Sequence, residues 1–204
     1  MNNLTAQAWS EKYQSGGDRW DLGCPAPPFV NLLASVDAPE PGKMAVLGCG
    51  RGHDALLFAE AGFEVIGFDF ATPAIAEATA NAQAKNIKAQ FIQQDIFNLD
   101  QEFVNSFDYV LEHTCFCAID PNLRSQYVEV VKSILRPQGK LIAMFYTHNR
   151  HGGPPFGVKP QEVLDYFTPY FEPIVFQVAQ DSIARRQGNE HLAVFQLQSG
   201  KKLK

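Results

Sequence analysis

Short apolar runs alternate with helical patterns along most of the chain, and this alternation predicts the order of its elements. Five runs predict buried strands, at residues 43–47, 64–69, 89–94, 107–111 and 140–146. Helical patterns follow three of these runs, at residues 53–61, from residue 72 onward and at 121–135. Strands that alternate with helices in this way are typical of a parallel sheet covered by helices.

Residues that favour element ends support these assignments. Gly62 suits the position that closes the first predicted helix, and residues 136–139 form a predicted turn. Thr72 is expected to cap the next helix with its hydroxyl, with Pro73 in the first helical position. Asp120 is expected to cap the helix that follows the fourth strand.

The two ends of the chain complete the predicted fold. A helix is predicted at residues 160–167, followed by apolar runs at 174–179 and 191–196. The short polar connection between those runs leaves no room for a helical crossover, so they should pair antiparallel. Two helical pieces, at residues 4–14 and 27–34, precede the first strand. The predicted fold class is α/β and Rossmann-like, a seven-stranded, mostly parallel sheet with a C-terminal antiparallel hairpin and helices on both faces.

Composition narrows the class of protein. The chain has 204 residues, which suits a single domain over residues 1–204, working as a monomer or a weak homodimer. Its net charge of −5 disfavours nucleic-acid and membrane partners, and no run approaches the ~18 apolar residues of a membrane span. The four cysteines lack a Cys-x-x-Cys pair, which indicates reduced thiols in the cytoplasm and no metal site. The basic tail at residues 201–204 is expected to be a frayed end.

The most informative segment is the glycine loop at residues 46–54, with the sequence Val-Leu-Gly-Cys-Gly-Arg-Gly-His-Asp. Glycines at the end of a first strand let the backbone turn sharply and approach a ligand closely. A dinucleotide fingerprint requires a third glycine where this chain has His53, so a pyrophosphate ligand is disfavoured. The observed spacing of Gly48, Gly50 and Gly52 favours S-adenosylmethionine, whose methionine and ribose parts would lie over the loop.

Two acidic residues at successive strand ends support this cofactor. Asp69 follows Gly50 by 19 positions, close to the ~20 at which an acid binds ribose hydroxyls. Asp95 ends the third strand, where an acid can accept from an adenine amino group while Ile96 or Phe97 packs on the ring. Because parallel strands end at one edge of the sheet, the two acids are expected to share one crevice.

Four segments resemble the thiopurine S-methyltransferase family and its thiol and halide methyltransferase branch. They are Trp-Asp-Leu-Gly with its following prolines at residues 20–27, Gly-Arg-Gly-His-Asp at 50–54, Glu-His-Thr-Cys-Phe-Cys-Ala-Ile at 112–119, and Gly-Gly-Pro-Pro-Phe at 152–156. The glycine loop alone indicates a methyltransferase, and the other three segments are more specific. The resemblance implies a class I methyltransferase that uses S-adenosyl-L-methionine and releases S-adenosyl-L-homocysteine.

The resemblance also implies that residues 1–40 form a helical lid over the cofactor. Trp9 and Trp20 would then line its pocket, where an indole face attracts a sulfonium cation by roughly 0.5–2 kcal/mol; Trp9 equally suits core packing against Tyr13. The predicted cofactor-binding residues are Trp9, Trp20, Gly48, Cys49, Gly50, Asp69, Phe70, Asp95, Ile96, Phe97 and Glu112. The predicted acceptor pocket comprises Phe29, Thr114, Phe116, Arg150 and Phe156.

His113 and Tyr146 are the predicted catalytic residues. A soft nucleophile that is already largely anionic requires alignment and exclusion of water more than a strong base. If a thiol must lose its proton, His113 is the candidate base, although it also suits a role in orienting Glu112. The chain departs from the plant members of the thiol and halide branch at Glu112 and His113 and in the loop at 148–151. The acceptor therefore cannot be carried over from any one branch of the family.

Three functions remain open at this point. The first is methyl transfer to a small soft nucleophile (a thiol, sulfide, thiocyanate or halide), with Arg150 or Arg185 steering an anionic acceptor. The second is methyl transfer to another small acceptor, such as a metalloid oxyanion, a phenol or an amine. The third is a catalytically silent protein that binds S-adenosylmethionine, which the intact glycine loop with Asp69 and Asp95 disfavours.

Overall fold

The computed structural model describes residues 4–199, so the basic tail at 201–204 lies outside the described residues, as do residues 1–3 and 200. The helices are α1 (Ala6–Ser15), α2 (Pro27–Leu33), α3 (His53–Glu60), α4 (Thr72–Lys85), α5 (Arg124–Ile134) and α6 (Pro160–Phe167). The strands are β1 (Lys43–Leu47), β2 (Glu64–Asp69), β3 (Gln90–Gln93), β4 (Phe107–His113), β5 (Leu135–Tyr146), β6 (Phe171–Val178) and β7 (Glu190–Leu197). Within the described range, no helix is both long and apolar enough to cross a membrane.

The seven strands form one sheet in the order β3-β2-β1-β4-β5-β7-β6. The first five strands are parallel to one another, and β7 is antiparallel to both β5 and β6. The predicted fold class is therefore confirmed. Successive strands are added on one side of β1 up to β3, and on the other side from β4 onward, so the strand order reverses between β1 and β4. Open parallel sheets bind ligands at such a point, beyond the carboxyl ends of the strands.

Two predicted helix starts differ from the structure. The predicted hydroxyl cap at Thr72 is wrong, since Thr72 is already the first residue of α4 and Ala71 occupies the cap position. The Asp69 carboxylate instead accepts from the Ala71 N–H at 2.9 Å. Asp120 does act as a cap, but the residues Pro121–Leu123 that it caps form a short 3-10 helix before α5 begins.

The central strands are longer than predicted. β4 continues to His113, two residues beyond the apolar run, because Glu112 and His113 still pair with β5. β5 begins at Leu135, so the predicted turn at 136–139 is an irregularity inside a strand. Gln138 there has a φ of 68°, which accommodates the extra residues between the two paired stretches.

Alternate strand residues divide the core between the two faces of the sheet. On one face, Leu47 and Phe68 pack with residues of α5 and α6. On the other, Met44 and Val46 pack with residues of α2 and α3. Helices on both faces leave the carboxyl edge of the parallel strands as the place where polar groups can converge.

Residues 4–42, termed the N-terminal segment, lie on the side of the sheet that carries α3 and α4. α1 packs against α4, and Tyr13 of α1 is buried against Ala71 and Ala74. In α2, Phe29 is fully buried, with its ring centroid 5.7 Å from that of Phe58 in α3. The segment is therefore anchored by apolar contacts before any charged contact is considered.

Candidate active site

A cavity of about 660 Å³ lies at the carboxyl ends of the parallel strands, where the strand order reverses. Its size falls in the range of small-molecule sites. Thirteen residues predicted from the sequence line it: Trp9, Trp20, Gly48, Asp69, Phe70, Asp95, Ile96, Phe97, His113, Thr114, Tyr146, Arg150 and Arg185. The structure thus gathers most of the predicted site residues into one cavity.

The glycine loop and Asp69 form one hydrogen-bonded unit at the ends of β1 and β2. Gly48 and Gly50 have φ values of 61° and 52°, which favour glycine. The Gly50 N–H donates to Asp69 Oδ2 at 3.1 Å, and the Ala71 N–H donates to Oδ1. Burial raises the pKa of Asp69 above its usual value, although these N–H groups oppose the rise. The carboxylate is therefore held rigidly by backbone at the cavity wall.

The predicted adenine-facing residues lie at the end of β3. Asp95 caps the 3-10 helix Ile96–Gln101, and its Oδ1 accepts from the Phe97 N–H at 3.0 Å. The Ile96 and Phe97 side chains line the same cavity. An exposed acid beside two apolar side chains can accept from an amino group and pack on a flat ring.

An aromatic wall, formed by Trp9, Tyr13 and Trp20, closes the cavity on the side of the N-terminal segment. The Trp20 ring lies edge-on to both others, with centroid distances of 5.1 Å to Trp9 and 5.4 Å to Tyr13. Lys12 Nζ lies 4.2 Å from the Trp9 ring centroid, and burial lowers the pKa of this ammonium group. The wall therefore already attracts a cation through the ring faces. Sequence reasoning missed Lys12, and Tyr13 was considered as core packing.

His113, at the end of β4, lies between two carboxylates. Its Nδ1 is 2.7 Å from Asp54 Oδ2, and its Nε2 is 3.5 Å from Glu190 Oε1. Burial alone would lower the pKa of His113, but the two carboxylates outweigh burial and raise it to about 9. A raised pKa favours the protonated imidazole near neutral pH. The role of His113 as a general base, which requires the neutral imidazole, stays a prediction.

Arg186, from the connection between β6 and β7, extends the charged group around His113. Its Nη1 donates to Glu190 Oε1 at 2.8 Å and lies 3.0 Å from His113 Nε2, and its Nη2 donates to the Trp20 carbonyl. Arg186 is buried, lines the cavity and was missed by sequence reasoning. The basic pair at residues 185–186 was the available signal, but the sequence does not show that the connection folds back to the N-terminal segment.

Tyr146, at the end of β5, is held beside two arginines. Arg150 Nη2 donates to the Tyr146 hydroxyl at 2.8 Å. The guanidinium carbons of Arg150 and Arg186 lie 5.8 and 5.9 Å from the centroid of the Tyr146 ring. This half of the cavity therefore places positive charge around an aromatic surface.

Three predicted acceptor-pocket residues lie outside the cavity. Phe116 is fully buried against Tyr127 and Phe145 on the face that carries α5. Phe29 is buried behind His113, at a centroid distance of 5.8 Å. Phe156 lines a separate cavity of about 510 Å³ on the outer side of the loop at 148–157. Aromatic character alone did not distinguish core packing from the site.

Three predicted cofactor-binding residues also lie outside the cavity lining. Glu112 points to the opposite face of β4 from His113, where it is fully buried and its Oε2 accepts from the Phe116 N–H at 2.9 Å. Burial raises the pKa of Glu112 to about 7. Cys49 and Gly50 belong to the glycine loop but do not line the cavity, and burial raises the pKa of the Cys49 thiol well above its usual value. Gly50 acts on the cavity indirectly, through its hydrogen bond to Asp69.

Among residues 4–199, no group of three His, Cys, Asp or Glu side chains is placed to hold a metal ion. The four cysteines all lie in this range, and each is a free thiol in the structure. The cavity thus offers carboxylates, aromatic rings and fixed cations for binding.

Comparison with known sequences identifies relatives over most of the chain. The sequence model of the family described as thiopurine S-methyltransferase matches residues 4–202. "Probable thiol methyltransferase 2" of Arabidopsis thaliana is 30% identical over 196 residues, covering 94% of this chain and 85% of the relative. "Thiocyanate methyltransferase 1" of Brassica oleracea is 32% identical over 189 residues, covering 90% of this chain and 82% of the relative.

Comparison with solved structures shows the same fold. The structure described as "Conversion of a Disulfide Bond into a Thioacetal Group during Echinomycin Biosynthesis" has a TM-score of 0.80 at 18% identity, covering 97% of this chain and 94% of that chain. The Burkholderia thailandensis 1,6-didemethyltoxoflavin-N1-methyltransferase, crystallised with bound S-adenosylhomocysteine, has a TM-score of 0.76 at 20% identity, covering 95% and 87% of the two chains.

Proposed function

This chain belongs to the thiopurine S-methyltransferase family, and from that premise we propose that it transfers the methyl group of S-adenosylmethionine to a small soft anion. The acceptor would be a thiolate, sulfide, thiocyanate or halide. The observation that carries the proposal is the cluster of basic side chains, Arg150, Arg186 and His113, that lines one half of the cavity. Fixed cations in a partly closed cavity raise the local concentration of an anion and stabilise it after water is removed.

The residues at the ends of β1, β2 and β3 fit the cofactor. Gly48 lines the cavity, and a Cβ at this position would lie 3.0 Å from Cys115 Sγ, so a close backbone approach is built into the loop. We assign Asp69 to the ribose hydroxyls and Asp95 to the adenine amino group. The aromatic wall is assigned to the sulfonium, since ring faces attract cations. When bound, the cofactor supplies an electrophilic methyl group.

The chain's own residues then have three tasks. Tyr146, with its hydroxyl fixed by Arg150, orients the acceptor on the side opposite the glycine loop. Arg186 and His113 stabilise the anion without accepting a proton from it. Alignment of this kind can contribute up to roughly 7–11 kcal/mol in well-oriented reactions. A thiol would accordingly react as its thiolate, and no side-chain base is required.

Two thiols of the protein itself line the cavity, and their protonation keeps them from competing with the acceptor. Cys115 and Cys117 both contribute to the wall. Burial raises the pKa of each thiol above its usual value, and the Glu112 carboxylate raises it further. Because the thiolate is the nucleophile, both sulfurs stay unreactive toward a methyl donor.

We further propose that residues 1–40 act as the lid of a single domain over residues 1–204. The aromatic wall comes from this part of the chain. The carbonyl of Trp20 accepts a hydrogen bond from Arg186, which lies just before β7. A cavity covered in this way fits a small acceptor beside the cofactor better than a polymer.

Product formation across a panel of acceptors tests the proposal. Bisulfide, thiocyanate, an aromatic thiolate and iodide would be compared with a phenol, an amine and arsenite. Methylation of one or more soft anions, with the other three inert, is the expected result. Methylation of the phenol, amine or arsenite instead would show that the acceptor is not a small soft anion but belongs to the class of the methylated compound. Cofactor binding by calorimetry without any methylated product would indicate a protein that binds the cofactor without turnover.

A further inference from the structure

Arg51, the residue after Gly50 in the glycine loop, contacts three carboxylates. Its Nη1 donates to Asp18 and, at 2.6 Å, to Asp21, both in the N-terminal segment. Its Nε donates to Glu77 of α4. The Arg51 carbonyl accepts from Asn81 Nδ2 at 3.0 Å, which fixes the loop to α4. One side chain thus joins the cofactor loop to the segment that carries the aromatic wall.

These contacts are largely shielded from water. The side chains of Arg51, Asp18 and Asp21 are 19%, 14% and 16% exposed, whereas Glu77 is 44% exposed. Burial opposes ionisation of Asp21, yet hydrogen bonds from His53, Gly23 and Arg51 hold its pKa well below its usual range. Ion pairs shielded to this degree are screened by salt much less than surface pairs.

The two aspartates flank the wall residue Trp20 in the chain. The Arg51 guanidinium carbon also lies 5.3 Å from the ring centroid of Tyr13, and Tyr13 packs edge-on against Trp20. Without Arg51, three carboxylates would face one another across the junction, so attraction would become repulsion. Arg51 therefore supplies the charge that holds both aspartates beside the glycine loop.

We propose that Arg51 is a positioning residue that latches the N-terminal segment onto the glycine loop, so that the aromatic wall and the cofactor loop form one binding unit. Arg51 lies outside the cavity lining and acts through Trp20 and Tyr13. The inference rests on the proposal that S-adenosylmethionine binds beneath this wall. Arg51 would hold the aromatic wall where the cofactor can contact it.

The test compares R51M with E77Q, which removes one ion pair of the same cluster but no link to the N-terminal segment. The affinity for S-adenosylhomocysteine would be measured by calorimetry, and the exposure of the wall by acrylamide quenching of the two tryptophans, both of which lie in it. We expect R51M to weaken binding about tenfold or more and to increase quenching before ligand is added. E77Q should keep both properties near wild type, and R51K should restore part of the affinity.

Kinetics separate positioning from a general loss of structure. In R51M, KM for S-adenosylmethionine should rise about tenfold, while kcat at saturating cofactor falls less than about threefold. Equal binding and quenching in R51M and wild type would overturn the latch, as would a fall in kcat alone. If R51M fails to fold, D18N/D21N is judged by the same criteria. Quenching without ligand reports on the latch even if the cofactor binds elsewhere, so failure of the proposed function is distinguishable.

Discussion

His113 Nδ1 lies 2.7 Å from Asp54 Oδ2, and this contact joins the end of β4 to the first turn of α3. The other oxygen of Asp54 accepts from the Ala26 N–H at 2.7 Å, just before α2. The Asp54 carboxylate thus raises the pKa of His113 in the cavity and also holds the backbone in place at the start of α2.

The first prediction concerns the pH dependence of stability. The pKa of His113 is raised from 6.5 to about 9, so its contribution is fully present below pH 6.5 and is lost as the pH rises through about 9. D54N removes the nearest charge but keeps an oxygen for Ala26. In urea unfolding, the stability gap between wild type and D54N should therefore be larger near pH 6.5 than near pH 10. A gap that does not change with pH would contradict the assignment.

Glu112 gives a dependence of the same sign over a lower pH interval, because its pKa is also raised in the folded protein. Burial raises its pKa from 4.5 to about 7, so the folded protein is destabilised by this group as the pH rises through that interval. E112Q removes the charge and leaves an amide oxygen for the Phe116 N–H. We expect the free energy of unfolding of E112Q to improve relative to wild type between pH 4.5 and 8. A relative loss over the same interval would show that the ionised carboxylate is stabilised in the folded state.

Arg186 is expected to control reaction with charged acceptors. R186Q should lower kcat/KM for thiocyanate about 10- to 100-fold, because it removes a buried cation from the half of the cavity around Tyr146, where the acceptor is expected to bind. R136Q is the matched control, since Arg136 pairs with Asp108 at 2.8 Å on the surface at the start of β5. An R186Q enzyme with wild-type kcat/KM would exclude this arginine from acceptor binding.

Tyr146 and Arg150 should act as a pair. Y146F and R150Q each remove the same 2.8 Å hydrogen bond, so their effects on KM for the acceptor should be less than additive. A double-mutant cycle is expected to give a coupling energy of about 0.5–1.5 kcal/mol. Fully additive effects would mean that the two side chains act independently.

The Asp95 assignment is tested by separating its cap from its reach into the cavity. D95A loses both functions, whereas D95S keeps a hydroxyl that can cap the 3-10 helix but is too short for the adenine. Both variants should bind S-adenosylhomocysteine about tenfold more weakly in calorimetry. If D95S binds like wild type, the role of Asp95 is confined to the helix cap.

The part of the cavity assigned to the cofactor was largely predictable because its signals are local. Gly48, Asp69 and Asp95 each lie at the end of a strand, and parallel strands bring these ends to one edge of the sheet. Glu112 shows the limit of this reasoning. Side chains alternate across a strand, so assigning Glu112 and His113 to faces required knowing that β4 extends to His113.

Two charged contacts of the aromatic wall depend on distant pairings. Arg51 and Arg186 are ordinary basic residues in the sequence, and only the fold places them against the wall or its anchors. Part of the predicted acceptor pocket lies outside the cavity for a related reason. Phe29 and Phe116 carry no local signal that separates a core ring from a site ring, so tertiary packing decided both.

The contact between Arg186 and the Trp20 carbonyl spans 166 positions of the chain. During synthesis, the glycine loop and the aromatic residues leave the ribosome long before the arginine that holds them together. A nascent chain that ends before Arg186 would carry the signature of the cofactor site without the contact that closes the cavity. The cavity is therefore completed only after Arg186 has been made, and a shorter chain should not bind the cofactor as the finished enzyme does.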